Sequence, residues 1–260
     1  LLLRESFIGK NFAVLEEIAA FSSHTSGVIG FVDRKNDPHN QDNNKRTIAN
    51  AAAIVQNGDV RGIYHKSFLP NYSVFDEARY FSKGTEPNTL FWYDDIAIGI
   101  NICEDIWIED GPAEEQVKQG ASLIININAS PYDIHKSETR KEIVMKKALK
   151  LNVPIIYLNM VGGQDELVFD GGSFVVNDLG EIIYQASSFK EEVFHLDIDL
   201  KTNKQNDKSP LIIRPKTIEL KDVESKASLS KNESIYSALK LGLKDYVRQN
   251  KCTKVLIGIS

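Results

Sequence analysis

Apolar residues recur at Ile8, Phe12, Leu15 and Ala19. Steps of four, three and four place them on one face of a helix, and no capping residue stands before it. A strand is expected over 27–33, followed by a polar stretch over 35–46 rich in Asn and Asp. Two short runs, 47–56 and 60–64, flank Asn57-Gly58. That dipeptide tolerates positive φ at both positions and predicts a tight type I′ hairpin. The next stretch, "HKSFLPNYSVFDEARYFSKG", is dense in aromatics without a clear period and reads as a packed loop.

From residue 96 onward the pattern alternates between strand and helix. The run 96–103 is apolar almost throughout and reads as a buried strand. A short helix over 112–119 ends at Gly120, and strands over 122–128 and 154–159 bracket a helix over 137–151. This alternation predicts an α/β layered fold. Strands at short spacing over 173–200, with a turn at 178–180, predict an antiparallel portion that completes the sheet. Residues 201–231 are poor in apolar side chains and read as a linker. Ser230 with Glu233 three residues later is a capping-box signature, and Ile235, Leu239, Leu243 and Tyr246 mark one face of the helix it starts. A strand is expected over 255–259. The chain opens inside a helix and closes on a buried-strand pattern, so it is expected to be a segment of a longer protein.

Composition narrows the function classes. The 260 residues carry a formal net charge of -5, with Lys and Arg interspersed among the acids. There is no basic stripe for nucleic acid and no polybasic arm for a membrane. No apolar run approaches bilayer length. The two cysteines, Cys103 and Cys252, fit neither a disulfide framework nor a Cys-x-x-Cys metal site, which suits a reducing cytoplasm. The five histidines are scattered, with no pair at metal-ligating helical spacing.

The stretch "INICEDIW" places a free thiol at the carboxyl end of a buried strand, where open α/β sheets carry reactive groups. Glu104 and Asp105 follow at once. Carboxylates beside a thiol oppose its ionisation, so a nucleophilic Cys103 needs a compensating Lys or Arg and a base. The competing reading is a buried structural cysteine.

The segments "YHKSFLPNYSVFDEARYF", "IGINICEDIW", "NASPY" and "VGGQDELVFDGGSFV", in this order, resemble the glutaminase domain of glutamine-dependent NAD synthetases, within the nitrilase (carbon-nitrogen hydrolase) superfamily. The resemblance runs over most of 1–200. It implies a nitrilase-like αββα four-layer sandwich over 1–200, a linker over 201–230, and over 231–260 the first helix and strand of a Rossmann-like adenine nucleotide α-hydrolase domain. It assigns Cys103 as the nucleophile that attacks the glutamine amide, Lys66 as the oxyanion-stabilising lysine and Glu77 as the glutamate that orients it. Without the resemblance, Glu77 could instead be a surface partner of Arg79 or Lys83. The backbone N–H of Glu104 would be a second oxyanion donor. Tyr72, Glu104 and Ser130 match substrate-holding positions, and Lys136 and Arg140 stand where the family has basic residues near the site. The "GGQDELVFDGG" stretch lacks the spacing of a phosphate loop and by resemblance is a structured loop near the site.

By the same resemblance the glutaminase needs no cofactor. ATP and Mg2+ would serve a synthetase portion beyond Ser260 that amidates deamido-NAD, and no metal ligand is named. A homo-oligomer is implied. A stand-alone amidase and a non-catalytic scaffold are the alternatives. In the family the general-base glutamate lies in a motif upstream of "LLLRESF", so no residue here takes that role. General-base catalysis is worth roughly 100- to 10,000-fold. The 260-residue polypeptide alone is therefore expected to hydrolyse glutamine slower by about that factor than a complete enzyme, measured as ammonia release; equal rates would refute this.

Overall fold

A computed structural model describes residues 1–35, 47–85, 90–200, 225–256 and 258. The chain forms two units. The first is built on Leu1–Ile127; the second is built on Asn128–Ile198 and takes in the C-terminal helix.

In the first unit, α1 (Glu5–Ala20) lies on an antiparallel sheet of β1 (Ser26–Lys35), β2 (Thr47–Gln56) and β3 (Asp59–His65), with β2 central. The β2–β3 turn has Asn57 at φ 53° and Gly58 at φ 82°, the left-handed pair expected from the dipeptide. Strand β2 explains its own run of alanines. Side chains alternate across a strand, so Ala51, Ala53 and Val55 meet Leu15, Ala19 and Phe31, while Ala52 and Ile54 face the opposite layer. With both faces buried, the run is continuously apolar rather than alternating.

The opposite layer is formed by β4 (Leu90–Tyr93), β5 (Ile96–Ile102) and β6 (Leu123–Asn128). Strand β5 pairs antiparallel with β4 and parallel with β6. Ile100 and Ile102 pack with Ala52, Ile54 and Tyr64 between the sheets. The β5-to-β6 crossover passes through α2 (Pro112–Lys118), whose Gln116 donates through Nε2 to the Ile100 carbonyl at 3.0 Å and accepts from Asn101 Nδ2 at 2.8 Å. A Cβ on Gly99 would lie 2.5 Å from Gln116 Oε1, so glycine there lets the glutamine reach the strand. The first unit thus has the expected helix–sheet–sheet–helix layering. Strand β4 was not expected; four residues are too short to show a period.

In the second unit, α3 (Lys136–Leu151) precedes β7 (Ile155–Asn159), then β8 (Val161–Gln164), β9 (Leu167–Asp170), β10 (Phe174–Val176) and β11 (Ile182–Gln185). Strand β10 pairs antiparallel with both β7 and β11. Strands β8 and β9 form a separate hairpin where the glycine-rich sequence suggested only a structured loop. Glycines are poor strand formers, which hid β8 from a propensity reading.

Helix α4 (Lys231–Gln249) begins with the expected box: Ser230 Oγ accepts from the Glu233 N–H and Glu233 Oε2 from the Ser230 N–H. The face it buries differs from the expected one. Ala238 and Asp245 are buried, while Leu239, Leu243 and Tyr246 are exposed. The cause is the surface it meets. A Cβ on Gly163 of β8 would lie 3.0 Å from the Gly242 Cα, so the contact admits only small residues. Asp245 Oδ2 then accepts from the Gly163 N–H at 2.8 Å, and Gln249 Nε2 donates to the Gly163 carbonyl at 2.8 Å. Val255, Leu256 and Gly258 are not in a strand; the other positions of that expected strand, and most of the expected polar loop and linker, lie outside the described residues. Among the described residues no helix is long and apolar enough to cross a membrane.

Ile100 is fully buried between the sheets. Ile100→Ala is expected to cost about 2–5 kcal/mol of stability in urea unfolding followed by tryptophan fluorescence; a loss under about 1 kcal/mol would show that the two sheets are not packed there.

Candidate active site

Lys66 directly follows β3, with its backbone held on both sides. Its N–H donates to the Asn50 carbonyl at 2.8 Å and its carbonyl accepts from the Gly84 N–H at 2.8 Å. The side chain turns inward and is only 1% exposed. A buried ammonium is tolerable only beside a counter-charge. Glu77, on a single 3-10 turn (Glu77–Arg79), supplies it: Lys66 Nζ donates to Glu77 Oε1 at 2.7 Å. Asn50 Nδ2 donates to Glu77 Oε2 at 3.4 Å and steadies the carboxylate. Glu77 is thus engaged with Lys66, while Arg79 pairs with Asp76.

Cys103 stands where β5 gives way to a 3-10 turn (Cys103–Trp107), at φ 46°. A left-handed conformation costs a non-glycine residue roughly 1–2 kcal/mol, and such strain persists only where the surroundings enforce it. It also turns the side chain out of the strand's pleat. Burial, the largest influence, together with the charges of Glu77, Glu104 and Asp105 pushes the Cys103 thiol up against the downward pull of Lys66, to about 11. Adjacent acids oppose ionisation and a lysine favours it, but the lysine offsets only part of the rise.

Tyr72 and Glu104 form the outer part of the arrangement. The Tyr72 hydroxyl donates to both Glu104 carboxylate oxygens at 2.9 Å, and its ring sits edge-on against Phe75. Tyr72 is 54% exposed, so it is not part of the core. Partial burial and the hydrogen bond to Glu104 raise the phenol to about 12. A carboxylate held at the surface by one hydroxyl keeps acceptor capacity for a cationic group such as an ammonium.

Asp105 was missed as a functional position. It is fully buried, and its two oxygens accept from the Tyr64 hydroxyl and from the backbone N–H groups of Ser67, Phe68 and Ile102. The signal available in the sequence was an acid lodged between Cys103 and the apolar pair Ile106-Trp107, a setting that predicts an inward carboxylate.

Ser130, Lys136 and Arg140 belong to the second unit. Ser130 is buried; its N–H donates to Asn159 Oδ1 at 3.0 Å and its Oγ accepts from Arg140 Nε at 3.2 Å. Arg140 is committed: one terminal nitrogen contacts both Asp170 oxygens at 2.8 and 2.9 Å, and the other reaches the carbonyls of Ser130 and Pro131. Lys136 is the first residue of α3. The structure therefore gathers Cys103, Lys66, Glu77, Tyr72 and Glu104 within the first unit, and it makes Arg140 a brace for the Ser130 turn.

The charges around the thiol make a signed prediction. In a Cys252→Ser background, iodoacetamide alkylation of Cys103 is read by peptide mass spectrometry from pH 7 to 10. Lys66→Met is expected to shift the profile to higher pH, slowing alkylation by about tenfold per unit, and Glu104→Gln to shift it to lower pH. Opposite signs would contradict the arrangement.

A carbon-nitrogen hydrolase family model matches residues 14–206. The chain is 38% identical over 283 residues to a glutamine-dependent NAD(+) synthetase from Thermotoga maritima, covering 100% of this chain and 47% of that protein. The solved glutamine-dependent NAD+ synthetase of Acinetobacter baumannii in complex with ADP superposes with a TM-score of 0.77 at 34% identity, covering 95% of this chain and 42% of that one. A solved Nesterenkonia amidase of the nitrilase superfamily shares the fold at a TM-score of 0.59 and 18% identity, over 69% of this chain and 64% of that one. The chain thus spans about half the length of the NAD synthetases it matches and has a nitrilase-like α/β fold. With its matched region covering most of the sequence, the chain belongs to the carbon-nitrogen hydrolase family.

Proposed function

We propose that the chain is the glutamine-hydrolysing part of a glutamine-dependent NAD synthetase. The observation that carries this reading is the buried Lys66–Glu77 pair acting on a thiol held in a strained turn. Similarity to the Thermotoga and Acinetobacter synthetases supports it and favours it over a stand-alone amidase.

Glutamine binds with its α-ammonium on Glu104, next to Tyr72, and its side-chain amide over Cys103. Cys103 Sγ loses its proton and attacks the amide carbon, and the carbonyl oxygen becomes an oxyanion beside the Lys66 ammonium. A second donor to that oxygen is the Glu104 N–H. The C–N bond breaks, the nitrogen leaves with the proton as ammonia, and a thioester remains. Water then attacks the thioester, releasing glutamate and restoring the thiol. Glu77 is engaged with Lys66, so it holds the lysine rather than removing the thiol proton. With the thiol near 11, ionising it at pH 7 costs about 5 kcal/mol. A base acting together with the attack is therefore required, which is general-base rather than pre-formed thiolate catalysis.

The ammonia would serve ATP-dependent amidation of deamido-NAD in a synthetase portion of the same protein, with Mg2+, in the cytoplasm and as a homo-oligomer. Neither ATP nor Mg2+ is assigned a residue in this chain, and the hydrolysis needs no cofactor.

A glutamine analogue bearing an electrophilic carbon at the amide position is expected to label Cys103 and no other residue. Prior glutamine is expected to slow that labelling, and Cys103→Ala to abolish it and lower ammonia release by at least about 1,000-fold. Labelling elsewhere, or no protection by glutamine, would overturn the reading.

A further inference from the structure

We propose that Asp105 is a positioning residue for this reaction: a single buried carboxylate ties the backbone on either side of Cys103 to the backbone that follows Lys66. The proposal rests on the glutaminase reading above. Asp105 Oδ2 accepts from the Ile102 N–H at 3.1 Å, one residue before the nucleophile, and from the Tyr64 hydroxyl at 2.8 Å. Asp105 Oδ1 accepts from the N–H groups of Ser67 at 3.1 Å and Phe68 at 2.9 Å, the two residues after Lys66. The segment bearing the nucleophile and the segment bearing the cation are therefore referenced to one group, which itself lies two residues after Cys103.

The chemistry of the four partners specifies an acid. All of them donate, and a carboxylate offers two acceptor oxygens with room for two donors each. An amide of the same shape would turn its NH2 toward N–H donors in either orientation and leave them unmet. Burying such donors unpaired is costly, which makes the carboxylate the matching group.

Electrostatics separates positioning from any direct effect on the thiol. The charge of Asp105 pushes the Cys103 thiol up, so it works against ionisation. Its contribution to turnover is therefore not made by easing ionisation of the thiol. It holds the left-handed turn at Cys103 and sets the distance from Sγ to Lys66.

Asp105→Asn and Tyr64→Phe test this in the natural polypeptide with Cys252→Ser. For Asp105→Asn, alkylation of Cys103 is expected to shift to lower pH, because a negative charge is gone. Glutaminase kcat is expected to fall by about 100-fold, the order associated with misplacing reacting groups, with KM changing less than about fivefold. Unfolding would also free the buried thiol and stop turnover, so both are read on protein whose circular dichroism and urea midpoint match the parent. There, faster alkylation with slower turnover supports the tie, and parent-like turnover overturns it. Tyr64→Phe removes one donor of four and is expected to lower kcat by about three- to tenfold. It also keeps the proposal testable if the first variant fails to fold; an unchanged kcat in Tyr64→Phe would then overturn it. A kcat within twofold of the parent in Asp105→Asn overturns the proposal. If the parent does not hydrolyse glutamine at all, the function fails but the tie is still read by hydrogen exchange. Joint loss of protection at Ile102, Ser67 and Phe68 in either variant supports it, and unchanged protection refutes it.

Discussion

A lysine ammonium sunk almost wholly inside the protein is the constraint to which the rest of the site answers. Desolvating that charge is expensive, and the Glu77 carboxylate 2.7 Å away makes it tolerable. Glu77 must then be fixed in turn, which Asn50 does from β2. The backbone of Lys66 is pinned at the end of β3 by the Asn50 carbonyl and the Gly84 N–H. The cation cannot move to meet a substrate, so its position is built in before any substrate arrives. Preorganised charge of this kind is the most effective form of transition-state stabilisation, since nothing need reorient during reaction.

The same carboxylate that stabilises the lysine opposes the thiolate, as do Glu104 and Asp105. Were a permanent thiolate the aim, three acids around one sulfur would be a poor arrangement. The pattern instead suits a neutral thiol at rest. Negative charge then appears only as the amide is attacked, at an oxygen beside Lys66. Glu104 has a different reason to be acidic, because it faces outward with Tyr72, where a substrate ammonium would meet it.

Much of this was legible in the sequence, for physical reasons that can be named. The α1 stripe, the Asn57-Gly58 turn and the Ser230–Glu233 box are local, and local chemistry fixed them. The sequence showed 47–56 only as a short run; that its alanines are buried on both faces, and which of them meet α1 and which the second sheet, came from the structure. Cys103, Lys66 and Glu77 were visible through motif resemblance; no periodicity would have joined residues 37 positions apart. The β8–β9 hairpin was not legible because Gly162 and Gly163 are poor strand formers, and the buried face of α4 because it depends on Gly242 meeting Gly163. Leu239 and Leu243 promised a core face, but the surface offered by β8 accepts only Ala238, Gly242 and a hydrogen-bonding Asp245. The apolar neighbours of Asp105 could have marked it as inward, but three of its four partners are backbone N–H groups, which no sequence pattern displays.

The most direct measurement is a structure of the Cys103→Ala protein with glutamine bound. The side-chain amide oxygen is expected against Lys66 Nζ, the amide carbon over the vacated sulfur position and the α-ammonium on Glu104. Glutamine bound with its amide turned away from Lys66, or bound outside this site, would contradict it.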